Sequence, residues 1–435
     1  MSRLLRRLTY LLVLLLVPVA ALALENFPPP EFTSGYHFPG LVTPAARAAI
    51  FAYVDIAVLA LCLALAAYFS IRLRSRRHIV VLTIFSLLYF GFYRKGCVCP
   101  VGALQNVTLA ASTARYALPA VVAVFFGLPL ITALIAGRAF CNGVCPLGAA
   151  QEIVLLRPVR VPAWLEAPLG LIPFFYLGTA VLLAATDSSY LICRYDPFVA
   201  FFRLGGSNGM VIFGVALLLL GMVVGRPYCR FLCPYGAILR LLAPLARWRV
   251  RITPEDCINC HLCAGACPYG AIRPPVAALP GRRRTAGRGT LALLLVLLPI
   301  MVAGGGWLGL RASGIIAAAN PTVQLADRVW QEEHQQVTGT TLASDAFYKL
   351  GVPNSDLYTR AAARQRQFRT GSALLGAWLL LVVGVRLISL SVRRHRDEYV
   401  ADPGACVACG RCWAACPVEQ ARKAGVPVTV LKEPS

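Results

Sequence analysis

Charged residues are scarce in this sequence, and acidic residues are the scarcest of them. Only 14% of the 435 residues are charged and 58% are hydrophobic, whereas about a quarter of an ordinary soluble domain is charged. A single core in a chain of this length cannot bury so much apolar surface, and the same composition excludes a disordered chain. The composition therefore predicts a polytopic membrane protein.

The shortage of acidic residues leaves a strongly basic chain. Asp and Glu number 19 against 42 Lys and Arg, a formal net charge of +23. In a soluble protein this excess would suggest a nucleic-acid partner, but in a membrane protein it marks the cytoplasmic loops. We therefore expect membrane lipid, and no nucleic acid, around this chain.

Several common cofactor signals are also missing. The sequence has only 5 histidines, none of them within a long apolar run, so a haem held between membrane helices is not expected. No Walker A loop or glycine-rich dinucleotide motif is present. The segment TGTTLAS, which begins at Thr338, matches a covalent flavin attachment site poorly, so no covalent flavin is expected.

Long apolar runs organise the chain. Residues 1–24, with three arginines ahead of an apolar stretch, read as a signal peptide or signal anchor, and residues 25–48 as a periplasmic segment. Asp55 lies in the first later run, and we expect it to be solvated near the outer interface. The predicted spans are Ala49–Ile71, Ile79–Phe92, Ala117–Ala136, Pro168–Thr186, Met210–Gly225, Thr290–Leu310 and Gly371–Val392.

The membrane domain, residues 49–250, contains an internal repeat. GRAFCNGVCPLGA starts at Gly137 and GRPYCRFLCPYGA starts at Gly225, each after an apolar run. Each copy is preceded by a cysteine-bearing loop that the alternation of spans places on the opposite side: GCVCPVGALQN at Gly96 and CRYDPF at Cys193. The segment VCPVGALQ also resembles the inner VCPLGAAQ, which favours the alternative that the first of these loops is a further copy of the inner motif. Related halves of a membrane protein commonly form a site at their shared interface.

Two runs, CINCHLCAGACP and CVACGRCWAACP, share the pattern C-x2-C-x2-C-x3-C-P. This pattern is typical of bacterial ferredoxins, in which the last cysteine of each run ligates the other [4Fe–4S] cluster. A zinc site, the alternative, needs neither the third cysteine nor the proline. The predicted ligand sets are Cys257, Cys260, Cys263 and Cys416 for one cluster, and Cys406, Cys409, Cys412 and Cys267 for the other.

The two runs are far apart in the chain. The first half of this ferredoxin-like unit is residues 251–289 and the second is residues 393–435, and a membrane hairpin, 290–392, with a periplasmic loop separates them. Two spans return the chain to the same side, so the halves can meet. The predicted fold is therefore a membrane all-α helical bundle with an internal repeat, plus a small α+β ferredoxin-like module split by a membrane hairpin.

The other cysteines suggest further centres. The two C-x3-C-P pairs together supply four thiolates, enough for a third [4Fe–4S] cluster, although buried free cysteines are also common. The outer loops supply three more cysteines, with Asp196 as a possible fourth ligand, and here a redox centre, a disulfide and inert thiols all remain open. The inner set is Cys141, Cys145, Cys229 and Cys233, and the outer set is Cys97, Cys99 and Cys193.

These motifs together resemble the NapH/NosR-type membrane polyferredoxins. The resemblance covers about Ile79 to Cys416. It implies a multi-pass protein of the bacterial inner membrane that passes electrons between the quinone pool or cytoplasmic carriers and periplasmic reductase systems. NosR-type members also carry a periplasmic flavin-binding domain ahead of the spans, and residues 25–48 leave no room for one.

We therefore expect an iron–sulfur electron-transfer component of an oxidoreductase system, with no side-chain set for stand-alone catalysis. Its ferredoxin halves should be cytoplasmic and should exchange single electrons with a ferredoxin, a flavodoxin or quinone, while a periplasmic redox partner acts on the other side. Two alternatives remain: a redox-sensing assembly or regulatory factor, and a thiol–disulfide conduit through the outer cysteines.

Overall fold

The computed structural model describes residues 49–96, 99–113, 116–250, 252, 257–276, 281–392, 396 and 398–425, apart from the side chains of 49 and 281–287. The predicted signal and periplasmic segments, and Cys97, lie outside the described residues. Helix dominates what is described, and this confirms the prediction of a mostly helical membrane protein.

Among the described residues, four helices are long and apolar enough to cross a membrane: Ile50–Ile71, Ala163–Ala185, Arg288–Ala317 and Asn354–Ser391. Two shorter apolar helices, Ala120–Ala136 and Asn208–Gly221, lie between them in the chain. The predicted span Ile79–Phe92 instead becomes a short α-helix that continues as a π-helix. Short and broken helices thus make up the middle of the membrane region.

The first membrane segment consists of the helix Ala49–Ile71 and the helix that folds back along it, and short helices follow. Three of these, Pro100–Ser112, Pro146–Ile153 and Pro234–Leu242, begin with the proline of a Cys-Pro pair, a position where the missing N–H of proline costs nothing. In chain order the elements up to residue 185 are α1 (Ala49–Ile71), α2 (Arg76–Ser86), the π-helix (Leu87–Tyr93), α3 (Pro100–Ser112), α4 (Ala120–Ala136), α5 (Ala139–Gly143), α6 (Pro146–Ile153), α7 (Ala163–Leu169) and α8 (Ile172–Ala185). The next elements are α9 (Leu191–Arg194), α10 (Val199–Arg203), α11 (Asn208–Gly221), α12 (Pro227–Phe231), α13 (Pro234–Leu242) and a 3-10 turn (Ala243–Leu245).

Asp55 joins α1 to the segment that follows the π-helix. Its carboxylate pairs with Arg94 at 2.8 Å and accepts a hydrogen bond from the Tyr89 hydroxyl at 2.8 Å. Asp55 is 1% exposed, so the expectation that water solvates it is wrong. A cation and a hydroxyl from the returning segment take the place of water, as a carboxylate among apolar helices requires.

Two long helices form the hairpin that separates the ferredoxin halves. Both extend well beyond the predicted apolar spans, because the chain between those spans is itself largely helical. Gly305 faces Gly376, and Gly309 faces Ser372, so closely that a methyl group on Gly305 or Gly309 would collide with the carbonyl of the residue that it faces. Small residues at this spacing are the usual way in which membrane helices come into close contact. The elements are α14 (Leu262–Ala266), β1 (Ile272–Arg273), α15 (Gly281–Ala317), α16 (Pro321–Glu333), α17 (Leu342–Lys349) and α18 (Asn354–Ser391).

The hairpin packs against the rest of the membrane region along α8. The indole N–H of Trp378 donates to the carbonyl of Phe174 at 2.9 Å. Beyond the last turn of α8, the Asn320 amide donates to Ser188 at 2.8 Å, and Asp187 pairs with Arg364 at 3.1 Å. The segment 186–188 therefore lies at the end of the bundle where α16 and α17 connect the two hairpin helices.

The two ferredoxin halves meet through a short antiparallel sheet. Ile272 pairs with Ala401 and Arg273 with Val400, and α14 packs against the first helix of the second half. At this end of the bundle Arg74, just after α1, pairs with Glu419 at 3.4 Å. The remaining elements are β2 (Val400–Ala401), α19 (Arg411–Ala415) and α20 (Pro417–Lys423).

Candidate iron–sulfur sites

The two ferredoxin halves carry cysteine loops with the same backbone form. Asn259 and Ala408, each the second residue after the first cysteine of its run, have φ angles of 57° and 56°. His261 and Gly410, each just after the second cysteine, have φ angles of 61° and 75°. These left-handed residues turn each loop in the same way, and in the second run the amides of Ala408 and Arg411 hydrogen-bond the sulfurs of Cys406 and Cys409, as an iron–sulfur cluster requires.

The loops enclose two cavities between the halves. One is bordered by the first three cysteines of the first run together with Cys416, and the other by Cys267 with the first three cysteines of the second run; Cys412 borders both. The last cysteine of each run therefore lies with the other run, which is the grouping that the crossed pattern predicts. The bordering cysteines are Cys257, Cys260, Cys263, Cys412 and Cys416 in one cavity, and Cys267, Cys406, Cys409 and Cys412 in the other.

Two thiols of the second run, those of the buried Cys409 and the half-buried Cys406, receive backbone donors. Burial raises the pKa of Cys406 to about 12 and that of Cys409 to about 11, although the amides of Ala408 and Arg411 hydrogen-bond these sulfurs and oppose the shift. Bound iron ionises such thiols by coordinating them. The donors and the burial therefore fit a cluster held by thiolates.

The inner cysteines lie around the ends of four short helices. Cys141 is on α5, Cys145 precedes α6, Cys229 is on α12 and Cys233 precedes α13. Hydroxyls of α2 anchor the α5 loop, since Ser86 donates to the carbonyl of Gly143 at 2.8 Å. Burial raises the pKa of Cys145 and Cys233 well above the usual value, and the neighbouring thiols raise it further. The structure therefore brings the four cysteines of the repeat together.

Three of these four sulfurs have an N–H group beside them. The amide of Gly236 donates to the Cys233 sulfur at 3.3 Å, and the Gln151 side chain donates to the Cys229 sulfur at 3.3 Å. A guanidinium nitrogen of Arg138 lies 3.9 Å from the Cys141 sulfur. Donors at sulfur stabilise the thiolate form and are a main way in which proteins tune iron–sulfur potentials.

The arginine of each GR-x-[aromatic]-C motif reaches across to the other copy. The guanidinium of Arg226, 1% exposed, donates to the Cys141 carbonyl at 2.6 Å and lies beside Gly148 of the first copy. The guanidinium of Arg138, 7% exposed, lies beside Gly236 of the second copy, and its Nε has no partner among the described residues. A buried cation that lacks a full set of acceptors is at a site suited to an anionic group.

Glu152 connects the inner cysteine site with the second ferredoxin half. Its carboxylate pairs with Arg226 at 3.1 Å, Arg411 at 2.9 Å and Arg76 at 3.1 Å, and it accepts a hydrogen bond from Tyr269 at 2.6 Å. Burial alone would raise the pKa of Glu152, but the three guanidinium groups and the Tyr269 hydroxyl lower it to about 2. A single ionised carboxylate thus holds α6, the GR loop and α19 together.

Sequence reasoning missed Glu152 and the glutamine that precedes it. Gln151 follows Cys145 by six residues, and Gln105 follows Cys99 by six residues, in the two segments VCPLGAAQ and VCPVGALQ. The likeness of these segments was the available signal. Glu152 had no such signal, because its partners are distant in the chain and only the fold brings them together.

The structure describes two of the three outer cysteines. Cys97 lies outside the described residues, whereas Cys99 and Cys193 lie near one another: the Cys99 thiol accepts from the amide of Gly102, and a Cβ on Gly102 would be 3.2 Å from the Cys193 sulfur. Asp196 is 7% exposed. Burial raises its pKa to about 6, although the amides of Phe198 and Val199 and the charge of Arg203 oppose the shift.

Within the described ranges, no group of three or more His, Cys, Asp or Glu side chains is arranged to hold a single metal ion. A cubane distributes its four thiolates over four irons, so its ligands lie farther apart than those around one zinc ion.

Two family models match the segments that contain these cysteines. One family model, described as a 4Fe–4S binding domain, matches residues 118–162 and 208–253, which contain the C-x3-C-P pairs. A second model with the same description matches residues 250–273 and 399–420, which contain the ferredoxin runs. No solved structure matches the chain.

Several curated proteins are similar to this chain. The regulatory protein NosR of Pseudomonas aeruginosa is 32% identical over 211 residues, 44% of this chain and 29% of NosR. YccM of Escherichia coli is 29% identical over 189 residues, 39% of this chain and 52% of YccM. The methylamine utilization ferredoxin-type protein MauN of Methylobacillus flagellatus is 26% identical over 199 residues, 41% of this chain and 64% of MauN.

The chain spans about half the length of YccM and less than a third of NosR. These relatives confirm the resemblance to NosR-type membrane ferredoxin proteins. Together with the 4Fe–4S domains and the apolar helices, they support an electron-transfer role at a membrane.

Proposed function

We propose that this chain relays single electrons through a row of [4Fe–4S] clusters, from two ferredoxin-type clusters at one end of the bundle into a third at the inner cysteine site. The crossed sets around Cys416 and Cys267 would hold the first two. Cys141, Cys145, Cys229 and Cys233 would hold the third. When bound, each cluster accepts and returns one electron without a change in its ligands.

The observation that carries this proposal is the seating of the second ferredoxin half on the inner site. Arg138 donates to the carbonyl of Gly404 at 2.9 Å, and Arg76 donates to the carbonyl of Cys409 at 3.1 Å. The amide of Asn142, next to Cys141, donates to the carbonyl of Ala408, next to Cys409, at 3.4 Å. A single hydrogen bond, between a residue next to Cys141 and a residue next to Cys409, therefore links the two cysteine loops. This link would be a short path for an electron.

The chain's own residues would hold the two cysteine loops in place and keep water away from the path between them. Arg226 and Glu152 bury a paired charge at the junction and hold the two loops in a single register. The contacts bring the junction out of water, which reduces the solvent rearrangement that accompanies a change of charge. Positioning and electrostatics, with no acid–base step, would thus be the protein's contribution.

The same arrangement supports an assignment of the two sides of the membrane. The basic segment 72–78, the inner cysteines and both ferredoxin halves lie at one end of α1, and the excess of basic residues there supports a cytoplasmic location. A cytoplasmic ferredoxin, a flavodoxin or quinone would then exchange electrons with the ferredoxin halves. The partner on the other side would be a periplasmic redox protein of the bacterial inner membrane system.

Iron and sulfide analysis, combined with EPR on the purified protein, tests the cluster assignment. Cys229→Ala should remove about four irons and leave the signals of the ferredoxin clusters. Cys62→Ala is a control, because Cys62 is a buried thiol of α1 that belongs to none of the cysteine motifs. Unchanged iron in Cys229→Ala would contradict the third cluster.

A thiol-labelling experiment tests the sides. After iron is stripped, a membrane-impermeant reagent on intact cells should reach Cys193, which is exposed, and should not reach Cys257. Labelling of Cys257 under these conditions would reverse the proposed orientation.

A further inference from the structure

The Cys99–Cys193 region has the same internal construction as the inner site. Gln151 accepts a hydrogen bond from the amide of Tyr228 at 3.0 Å and donates to the sulfur of the next residue, Cys229, at 3.3 Å. Gln105 accepts from the amide of Ile192 at 2.5 Å and donates to the sulfur of the next residue, Cys193, at 3.5 Å. In both places one buried glutamine positions the residue before a cysteine and the cysteine itself.

The half-helices that carry these glutamines also correspond. Each begins at a Cys-Pro pair, places a glycine three residues after the cysteine, and carries its glutamine six residues after it. Gly102 lies against the Cys193 sulfur, where a Cβ would come within 3.2 Å. Both glutamines are at most 1% exposed. The likeness therefore extends from sequence to hydrogen bonds and burial.

The correspondence gives Asp196 a counterpart. In the inner site, Cys229 is followed by Arg, Phe, Leu and then Cys233-Pro234, whereas in the other site Cys193 is followed by Arg, Tyr and then Asp196-Pro197. The Cys233 sulfur accepts from the amide of Gly236 at 3.3 Å, and the Asp196 carboxylate accepts from the amide of Phe198 at 2.9 Å. The Asp196 carboxylate, which precedes Pro197, therefore corresponds to the Cys233 thiol, which precedes Pro234 at the inner site.

Burial sets Asp196 apart from an ordinary loop carboxylate. It is 7% exposed, while Asp187, nine residues earlier in the same connection, has a side chain that is 55% exposed and pairs with Arg364. The amides of Phe198 and Val199 and the charge of Arg203 stabilise its charged form, and coordination of a metal is a further way in which a protein compensates a buried carboxylate.

We propose that Cys99, Cys193 and Asp196 are ligands of a second membrane iron–sulfur centre, in which the Asp196 carboxylate takes the place that Cys233 has at the inner site. This inference rests on the proposed electron-transfer function and adds one centre to it. Cys97 lies outside the described residues and carries none of this reasoning. The ring of Phe198 packs edge-on against that of Tyr228 with centroids 5.5 Å apart, so the two sites are neighbours.

An oxygen ligand gives this centre a distinct chemistry. Iron–sulfur clusters favour soft thiolates, and a hard carboxylate holds its iron less firmly. A chelator such as EDTA should therefore remove the iron at Asp196 readily. The inner site, with four thiolates, should resist the same treatment.

Iron loss from the full-length protein to EDTA tests this assignment. The wild type should lose a fast-reacting fraction of its iron, and Asp196→Cys should lose that fraction at least about tenfold more slowly, because thiolate replaces the weak ligand. Asp196→Ala should contain less iron than the wild type as isolated. Asp187→Asn is the control and should behave as the wild type.

Other outcomes are decisive against this centre. Iron loss that is equally fast in wild type and Asp196→Cys would show that Asp196 is not the labile ligand. An intact mass under non-reducing conditions that reveals a Cys99–Cys193 disulfide would replace the centre by a structural or redox-active bridge. If Cys229→Ala still removes one cluster in that case, the proposed function stands and only this inference fails; if it removes none, the inner cluster fails as well.

Discussion

The two cysteine sites in the membrane region share a scaffold but differ in the charges around them. At the inner site the buried charges are two arginines, Arg138 and Arg226, together with the carboxylate of Glu152. At the other site the buried charge beside the cysteines is the carboxylate of Asp196. Positive charge stabilises the reduced, more negative state of a cluster, whereas a carboxylate disfavours it. One backbone plan can therefore support two centres of different potential.

Their neighbours differ as well. The second ferredoxin half covers the inner site through Arg138, Asn142 and Arg76. Cys193 and Asp196 of the other site come shortly after the segment 186–188 in the chain. That segment contacts Asn320 and Arg364 at the C-terminal end of α8. If both proposed centres form, the repeat would supply the ligand geometry, and the surroundings would determine from which end of the bundle each centre is reached.

The largest expected effect comes from removing Arg226. Arg226→Met leaves Glu152, the Cys141 carbonyl and the Asn142 side chain without their shared donor, and breaking a buried ion pair typically costs about 3–5 kcal/mol. Thermal denaturation in detergent should show this loss, together with loss of the inner-site EPR signal but not that of the other site. The control, Arg364→Met, removes a more exposed pair and should cost less than about 1 kcal/mol.

The glutamines test the shared construction directly. Gln151→Leu and Gln105→Leu each leave a buried backbone amide unpaired, which costs about 1–3 kcal/mol. Each variant should lower the iron content of its own site and leave that of the other site unchanged. Gln324→Leu, on the exposed face of α16, serves as the control. Equal loss at both sites from either variant would mean that the two sites are not separate.

Arg138 should set the potential of the inner centre. Replacing it by Met removes a buried cation beside the Cys141 sulfur, and redox titration should find the midpoint potential lowered by about 60 mV or more, a tenfold change in the one-electron equilibrium. Arg138→Lys keeps the charge and should retain most of the potential. The second site should not shift. A shift at both sites would show that the arginine acts through the whole bundle.

The smallest effect is expected at the ring pair between the sites. Phe198→Leu removes an edge-to-face contact with Tyr228, and such contacts contribute about 0.5–1.5 kcal/mol beyond their buried area. A small fall in melting temperature with full iron at both sites would agree with this. Loss of iron from one site alone would instead assign Phe198 to that site.

Much of the candidate chemistry was available from the sequence. The cysteine spacing predicted the ferredoxin runs, and the related proteins confirm a 4Fe–4S membrane protein. The hydrophobic runs predicted a mostly helical membrane protein, because about twenty consecutive apolar residues are the length that a helix needs to cross a bilayer. Individual ligand sets, the repeat and the split module remain predictions that the geometry supports.

The rest depended on contacts between distant residues. Asp55 appeared solvated in the sequence because nothing local indicates Arg94 as its partner. Glu152 pairs with Arg76, Arg226 and Arg411, which are separated from it in sequence by 76, 74 and 259 residues. No periodicity in the sequence predicts such a junction. The hairpin helices exceed their apolar runs, because charged helix at a membrane edge carries no hydrophobic signal.

The pairing of β1 with β2 has a consequence for how the protein is made. Ile272 leaves the ribosome long before Ala401, and the whole hairpin of α15 and α18 is synthesised between them. Neither cavity between the halves can close until that hairpin has entered the bilayer and the chain has returned. Delivery of iron and sulfide to these cavities must therefore wait for membrane insertion to finish, and a chain stalled in the hairpin would remain without its ferredoxin clusters.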